Sequence, residues 1–120
     1  MNRDKNLPLT ETVYYILLAL LKPAHGYLIM QKVEELSAGQ VRMAAGTLYG
    51  AVENLLKQKF IMPVHSEDSR RKVYVITDGG REILRQDYER MRHMLETTNT
   101  IMGSKRGSDR HEKNEVFYEL

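Results

Sequence analysis

Apolar residues near the start of the chain recur at steps of three and four. Val13, Ile16, Leu17, Leu20 and Leu21 form one broad face, which predicts an amphipathic helix. Thr10 is placed to cap it, and Glu11 falls in its positive first turn. Lys22-Pro23 ends it, because a residue before proline is pushed away from helical angles. Tyr14 and Tyr15 exceed what one face needs, so one of them should meet a second element or a second chain. A second helix is expected over residues 25–36, with His25 beginning it and Tyr27, Met30, Val33 and Leu36 on its apolar side. Ser37-Ala38-Gly39 stops it, and Gly39 suits the left-handed position after a helix.

The connection QVRMAA, with a short extended piece expected at Val41–Met43, leads to a third helix over residues 44–58. Leu48, Val52, Leu55 and Leu56 share its buried face. Its start, Ala44-Ala45-Gly46-Thr47, offers no polar side chain at the cap, a deficit of about 1 kcal/mol against Ser or Asn. Small residues there serve either close helix packing or the approach of a phosphate to a positive helix end. Phe60, Ile61, Met62 and Val64, then Val73 to Ile76, read as two strands of a hairpin with a polar tip, HSEDSRR. Thr77 or Asp78 caps a last helix, whose first turn holds Gly79 and Gly80, each poorer than alanine by about 1 kcal/mol.

From residue 81 the pattern changes. Leu84, Tyr88, Met91, Leu95, Thr98 and Met102 alternate steps of four and three, a heptad seam that Ile83, Met94 and Ile101 widen. A small domain that already buries its own core needs a partner for such a helix, and a second copy is the simplest one. The expected organisation is mainly α with a small β-hairpin. A winged helix-turn-helix domain occupies residues 1–78, a dimerisation helix 79–103, and a polar, frayed tail 104–120.

Charge adds direction to this outline. The total of +2 says little, but residues 40–77 hold six bases (Arg42, Lys57, Lys59, Arg70, Arg71, Lys72) against three acids (Glu53, Glu67, Asp68). The surplus sits in the stretch that holds the third helix and the wing, which suits a polyanionic partner, and on charge alone a solvated charged surface serves equally. Arg70, Arg71 and Lys72 at the hairpin shoulder can each meet a phosphate, or one can enter a minor groove. Lys57 and Lys59, at the end of the third helix, are read instead as favouring its negative C-terminus. With no cysteine there is no disulfide or Cys-based metal site, and a reducing cytoplasm is the expected location. The apolar run from Val13 to Leu21 is too short to span a bilayer.

The candidate chemistry is recognition. His25, His65, His93 and His111 show no metal-ligand spacing, and no catalytic triad, phosphate-binding glycine loop or paired carboxylate set is visible. No cofactor and no enzymatic activity are expected. Double-stranded DNA is the expected partner, bound as an inverted repeat by a homodimer. Two other functions remain beside it: a winged helix that binds protein, and a pocket for a small aromatic effector lined by Tyr14, Tyr15, Tyr88 and Met91.

Five segments together, HGY (25–27), GTLYGAVENLL (46–56), KQKFI (57–61), RRKVYVIT (70–77) and DGGREIL (78–84), resemble the PadR-type transcriptional regulators. The likeness spans roughly residues 9–84, and the single carboxy-terminal helix is similar to the short subgroup of that family. The resemblance implies a homodimeric winged-helix repressor released by a small molecule or stress signal. By motif position it implies DNA-facing residues at Thr47, Tyr49 and Gly50 on the recognition helix and Arg70, Arg71 and Lys72 on the wing. Tyr49 has a second reading, as filler of the junction between helix and wing. Ala44 and Ala45 depart from the polar cap and acid such proteins often place there, and no tryptophan is present for stacking flat drugs.

Overall fold

Thr10 does cap the first helix. In the computed structural model, which describes residues 3–68 and 70–105 and side chains as far as 103, its hydroxyl accepts a hydrogen bond from the Val13 N–H at 3.1 Å. Helix α1 (Glu11–Ala19) is followed by a two-residue strand β1 (Ala24–His25), then α2 (Gly26–Leu36) and α3 (Ala45–Lys57). Strands β2 (Ile61–Val64) and β3 (Val73–Ile76) form the wing, and α4 (Asp78–Lys105) completes the described chain. The fold is mainly helical with a small antiparallel sheet, as expected. The expected tail lies mostly outside the described residues, and α4 runs through 104 and 105.

The sheet has three strands rather than the two of a hairpin. Its order is β1-β3-β2, with Ala24 opposite Tyr74 and His25 opposite Val73 on one side of β3. On the other side Ile61 pairs with Ile76 and Val64 with Val73. Strand β1 is too short to show an alternating pattern, so it exists only through its long-range partner. The Ile76 N–H also donates to the Leu20 carbonyl at 2.8 Å, tying the end of α1 to the sheet.

The chain divides into two units, through Asp87 and from Tyr88 onward. The first does not stop at residue 78, because Ile83 and Leu84 bury their side chains in its core. That core is built from Ile16, Leu17 and Leu20 of α1, Ile29 and Val33 of α2, Leu48, Val52 and Leu55 of α3, and Ile61, Tyr74 and Ile76 of the sheet. In α3 and β3 the buried side chains recur at the period of the element, while α1 is apolar beyond its buried face.

Two expectations for α2 and its connection are corrected. The buried face of α2 is Gly26, Ile29 and Val33, whereas Tyr27 and Leu36 lie 64% and 52% exposed. Val41–Met43 forms no strand. Instead the turn is held by Ser37, whose hydroxyl accepts from the Val41 N–H at 2.9 Å, and by Ala38 and Gly39, both at positive φ. The Gly39 N–H returns to the Glu34 carbonyl at 2.8 Å and closes α2. Helix α3 ends in a related way on Lys59 (φ 63°), with the Phe60 N–H donating to the Leu55 carbonyl at 3.0 Å. A lysine there carries the strain that glycine would avoid.

Candidate nucleic-acid interface

Burial of Leu48, Val52 and Leu55 turns the opposite side of α3 outward, and Thr47, Tyr49 and Gly50 all lie on it, exposed. No side chain caps this helix at Ala44, and its first turn holds no acid. Its positive end is therefore not neutralised by its own sequence.

The wing brings Arg70, Arg71 and Lys72 to the foot of β3, all exposed. Asp68 shapes the turn: its carboxylate accepts from the Arg70 backbone N–H at 3.0 Å, and its carbonyl accepts from the Arg71 N–H at 3.0 Å. The same carboxylate lies 3.4 Å from Arg70 Nε, so Arg70 is partly balanced locally. Among the described residues, Arg71 and Lys72 have no acidic partner. The three bases are thus unequal, a distinction the run RRK does not reveal.

Strand β1 contributes what the sequence alone missed. Its register sets His25 beside β3, and Arg71 Nη1 comes within 3.2 Å of His25 Nε2. The other ring nitrogen, Nδ1, accepts from the Leu28 N–H at 3.3 Å and caps α2. His25, Tyr27, Tyr49, Tyr74 and the three wing bases surround one open cleft of about 540 Å³ between recognition helix and wing. Tyr27, expected in the core, is thereby a cleft residue. The visible signal for His25 and Tyr27 was the HGY motif following Pro23, but only long-range pairing with β3 gives it a location.

Tyr49 packs at the junction and also stays exposed. Its ring lies over Gly26, so close that a methyl group there would overlap the hydroxyl and stand 2.9 Å from Cζ. Yet the residue remains 50% exposed, with its phenol at the cleft. Burial, and secondarily the Tyr49 phenol, push the Tyr74 hydroxyl above its ordinary pKa of 10.0. Tyr74 therefore faces the cleft as a neutral hydrogen-bonding group.

The expected dimer seam is altered at its start. Leu84 is 8% exposed and buried within its own chain, where the core of the first unit already satisfies it. In the second unit, Tyr88, Met94, Leu95 and Ile101 are exposed large apolar residues, while Met91, Thr98 and Met102 are half-buried. Arg92 pairs with Glu89 at 2.8 Å and with Glu96 at 2.7 Å along the same helix. Of the proposed effector pocket, Tyr14 and Tyr15 stand edge to face with ring centroids 6.4 Å apart, packed against the core of the first unit. Tyr88 and Met91 belong to the second.

Residues 16–86 match the profile of the transcriptional regulator PadR-like family, more than half of the chain. The chain belongs to the PadR family. The PadR match runs from α1 into α4, encloses every residue of the cleft, and stops just before the exposed seam at Tyr88. Solved PadR-type structures share the winged-helix fold. A PadR-like transcription factor from Bacteroides fragilis is 26% identical, with a TM-score of 0.61 over 75% of this chain and 87% of that one. A PadR family transcriptional regulator from Eggerthella lenta is 24% identical, at 0.61 over 75% and 80%. A transcriptional regulator from Clostridium thermocellum is 21% identical, at 0.63 over 83% and 97%. By sequence, the chain is also 33% identical over 69 residues to an uncharacterized 37.1 kDa protein in a transposon of Streptomyces fradiae. It spans only 19% of that relative's length. Among the described residues, no PadR helix is long and apolar enough to cross a membrane, and no cluster of His, Asp or Glu could hold a metal.

Proposed function

We propose that this PadR protein is a sequence-specific DNA-binding transcriptional regulator, a repressor that acts as a homodimer in the cytoplasm. The observation that carries this is a cleft in which Tyr49 of α3 meets two wing bases, Arg71 and Lys72, that have no acidic partner among the described residues. A helix whose buried face is Leu48, Val52 and Leu55 leaves Thr47, Tyr49 and Gly50 for a major groove, and the wing bases reach the flanking phosphates. The exposed apolar residues from Tyr88 to Ile101 support pairing with a second copy along α4, with Leu95 near the middle of the interface. Relief by a small aromatic effector belongs to the same proposal. Titration of flat aromatic compounds against the protein–DNA complex tests it.

Selection of bound duplexes from a random library is the deciding experiment. The expected product is an inverted repeat whose half-site centres lie about one helical turn, or roughly 34 Å, apart. Unstructured output or a lone half-site would count against both the dimer and the regulator. Neutralising Arg71 and Lys72 together should weaken binding to all sequences and lower the salt slope by about 0.9 for each phosphate no longer neutralised. An unchanged slope removes the wing from the mechanism. A winged helix that serves instead to bind protein would show no steep salt-dependent retention on random duplex DNA.

A further inference from the structure

The contacts of His25 cannot all be hydrogen bonds. Its Nδ1 accepts from the Leu28 N–H, which requires that nitrogen to be bare. The ring proton of neutral imidazole then sits on Nε2, which faces a guanidinium nitrogen of Arg71 at 3.2 Å. Guanidinium has donors only, so two N–H groups point at each other with no acceptor between them. Moving the proton to Nδ1 satisfies Arg71 and destroys the α2 cap. Protonating both nitrogens breaks both interactions and sets two cations side by side. No protonation state of the pair is satisfied within the protein. One oxygen lying between Nε2–H and the guanidinium would satisfy all of them.

Every neighbour of this gap favours an anionic oxygen. The cleft holds Arg70 and Lys72 besides Arg71, and the phenols of Tyr27, Tyr49 and Tyr74 can donate. Asp68, the nearby acid, is turned toward Arg70 and the wing backbone. Helix α2 points its positive end here and has no acid in its first turn. We infer that His25 Nε2–H and the Arg71 guanidinium close on the same phosphate of the DNA backbone, while Nδ1 keeps its cap on α2. This rests on the DNA-binding proposal and adds to it a fixed point. The antiparallel register of His25 with Val73, the last rung of the wing strands, fixes one prong where the pairing ends and the other, Arg71, two residues before Val73. The clamped phosphate therefore sets the depth at which α3 enters the groove.

The test separates the clamp from the cap and from DNA binding itself. His25→Asn retains a strong N-cap and loses the reach to the phosphate; Arg71→Gln removes the other prong. The full chain is titrated with the duplex recovered from the random library, with single neutral methylphosphonate linkages placed in turn along each strand. Wild type should lose about tenfold in affinity at one linkage per half-site, the loss of one charged hydrogen bond. Each single variant should bind the unmodified duplex about tenfold more weakly, be indifferent to that linkage, and combine with the other less than additively. In the wild-type complex, nitrogen-15 spectra should show His25 as the single Nε2–H tautomer. Inorganic phosphate, at the ionic strength of a chloride control, should not reproduce that spectrum; if it does, the site belongs to a free anion and the backbone assignment falls. A His25→Asn protein that keeps the wild-type linkage profile, or normal affinity beside a weak His25→Ala, makes His25 a cap only and overturns the clamp alone. A chain that retains no duplex overturns the DNA-binding proposal and the clamp with it.

Discussion

Replacing Gly80 by alanine sets helix propensity against packing, and the structure determines which effect wins. The Thr77 hydroxyl accepts from the Gly80 N–H at 3.0 Å, capping α4, and donates to the Lys59 carbonyl at 2.7 Å. The Thr77 N–H donates to the Phe60 carbonyl at 3.0 Å. A Cβ on Gly80 would overlap that same Phe60 carbonyl oxygen and lie 2.6 Å from Ile76 Cγ1 and 3.0 Å from the Phe60 carbonyl carbon. None of these is the free end of a mobile side chain: one is backbone held by Thr77, the other a buried strand residue. Alanine gains about 1 kcal/mol of helix propensity. Overpacking costs about 1–3 kcal/mol, and displacing Phe60 weakens a hydrogen bond of about 1 kcal/mol. The net loss is about 2 kcal/mol, or a Tm lower by roughly 8 °C for a domain of this size. Gly79→Ala is the control. Its nearest neighbours would stand 3.7 Å away, so it should stabilise by about 0.5 kcal/mol. Thermal and urea unfolding of the three proteins, followed by circular dichroism, decides the matter. A Gly80→Ala protein at least as stable as wild type refutes the reasoning.

Three further outcomes follow from other positions. Lys59→Gly should stabilise the chain by about 1 kcal/mol, because glycine adopts the positive φ of 63° without a Cβ clash; a loss in urea unfolding would show that the lysine side chain matters more. Gly26→Ala should push the Tyr49 ring off its seat and lower DNA affinity several-fold with little change in Tm, and in a Tyr49→Ala background it should change affinity no further. The Tyr74 phenol, raised above 10.0 chiefly by burial, favours folding while neutral, so its contribution is complete below pH 10 and is lost as pH rises through the folded-state value. Phenolate absorbance should show one tyrosine ionising late. Tyr74→Phe should remove that step and extend the alkaline limit of stability, and a wild-type alkaline profile would contradict the assignment.

Much of the fold was legible because periodicity and punctuation agree. Thr10, Lys22-Pro23 and the apolar steps of α1 and α3 locate those helices to within three residues. The wing strands are equally plain. What was not legible depends on contacts distant in sequence. Two residues cannot display alternation, so β1 is invisible until β3 pairs with it. Tyr27 has helical spacing with Met30 and is nonetheless exposed, because Gly26 and Ile29 take the buried side. Leu84 fits a heptad and a domain core equally well, and spacing alone does not choose between them. Of the candidate site, Thr47, Tyr49, Gly50 and the wing bases all lie exposed, as a face meant for a partner requires. The inequality of Arg70 and Arg71 was hidden, because it arises from how Asp68 folds the turn.

The hydrogen bonds of Thr77 to Lys59 and Phe60 also determine where this architecture can change length. The last rung of the wing is Val64 opposite Val73, and the connection between the strands follows it. Insertions there extend the hairpin without moving a single core side chain. One residue added between Val73 and Gly80 behaves quite differently. In β3 it exchanges the inward and outward faces, and in α4 it turns every later side chain by about 100°. Length variation that survives selection should therefore gather at the wing tip, leaving a family of proteins free to vary how far they reach along a groove while the phase of the long helix stays fixed.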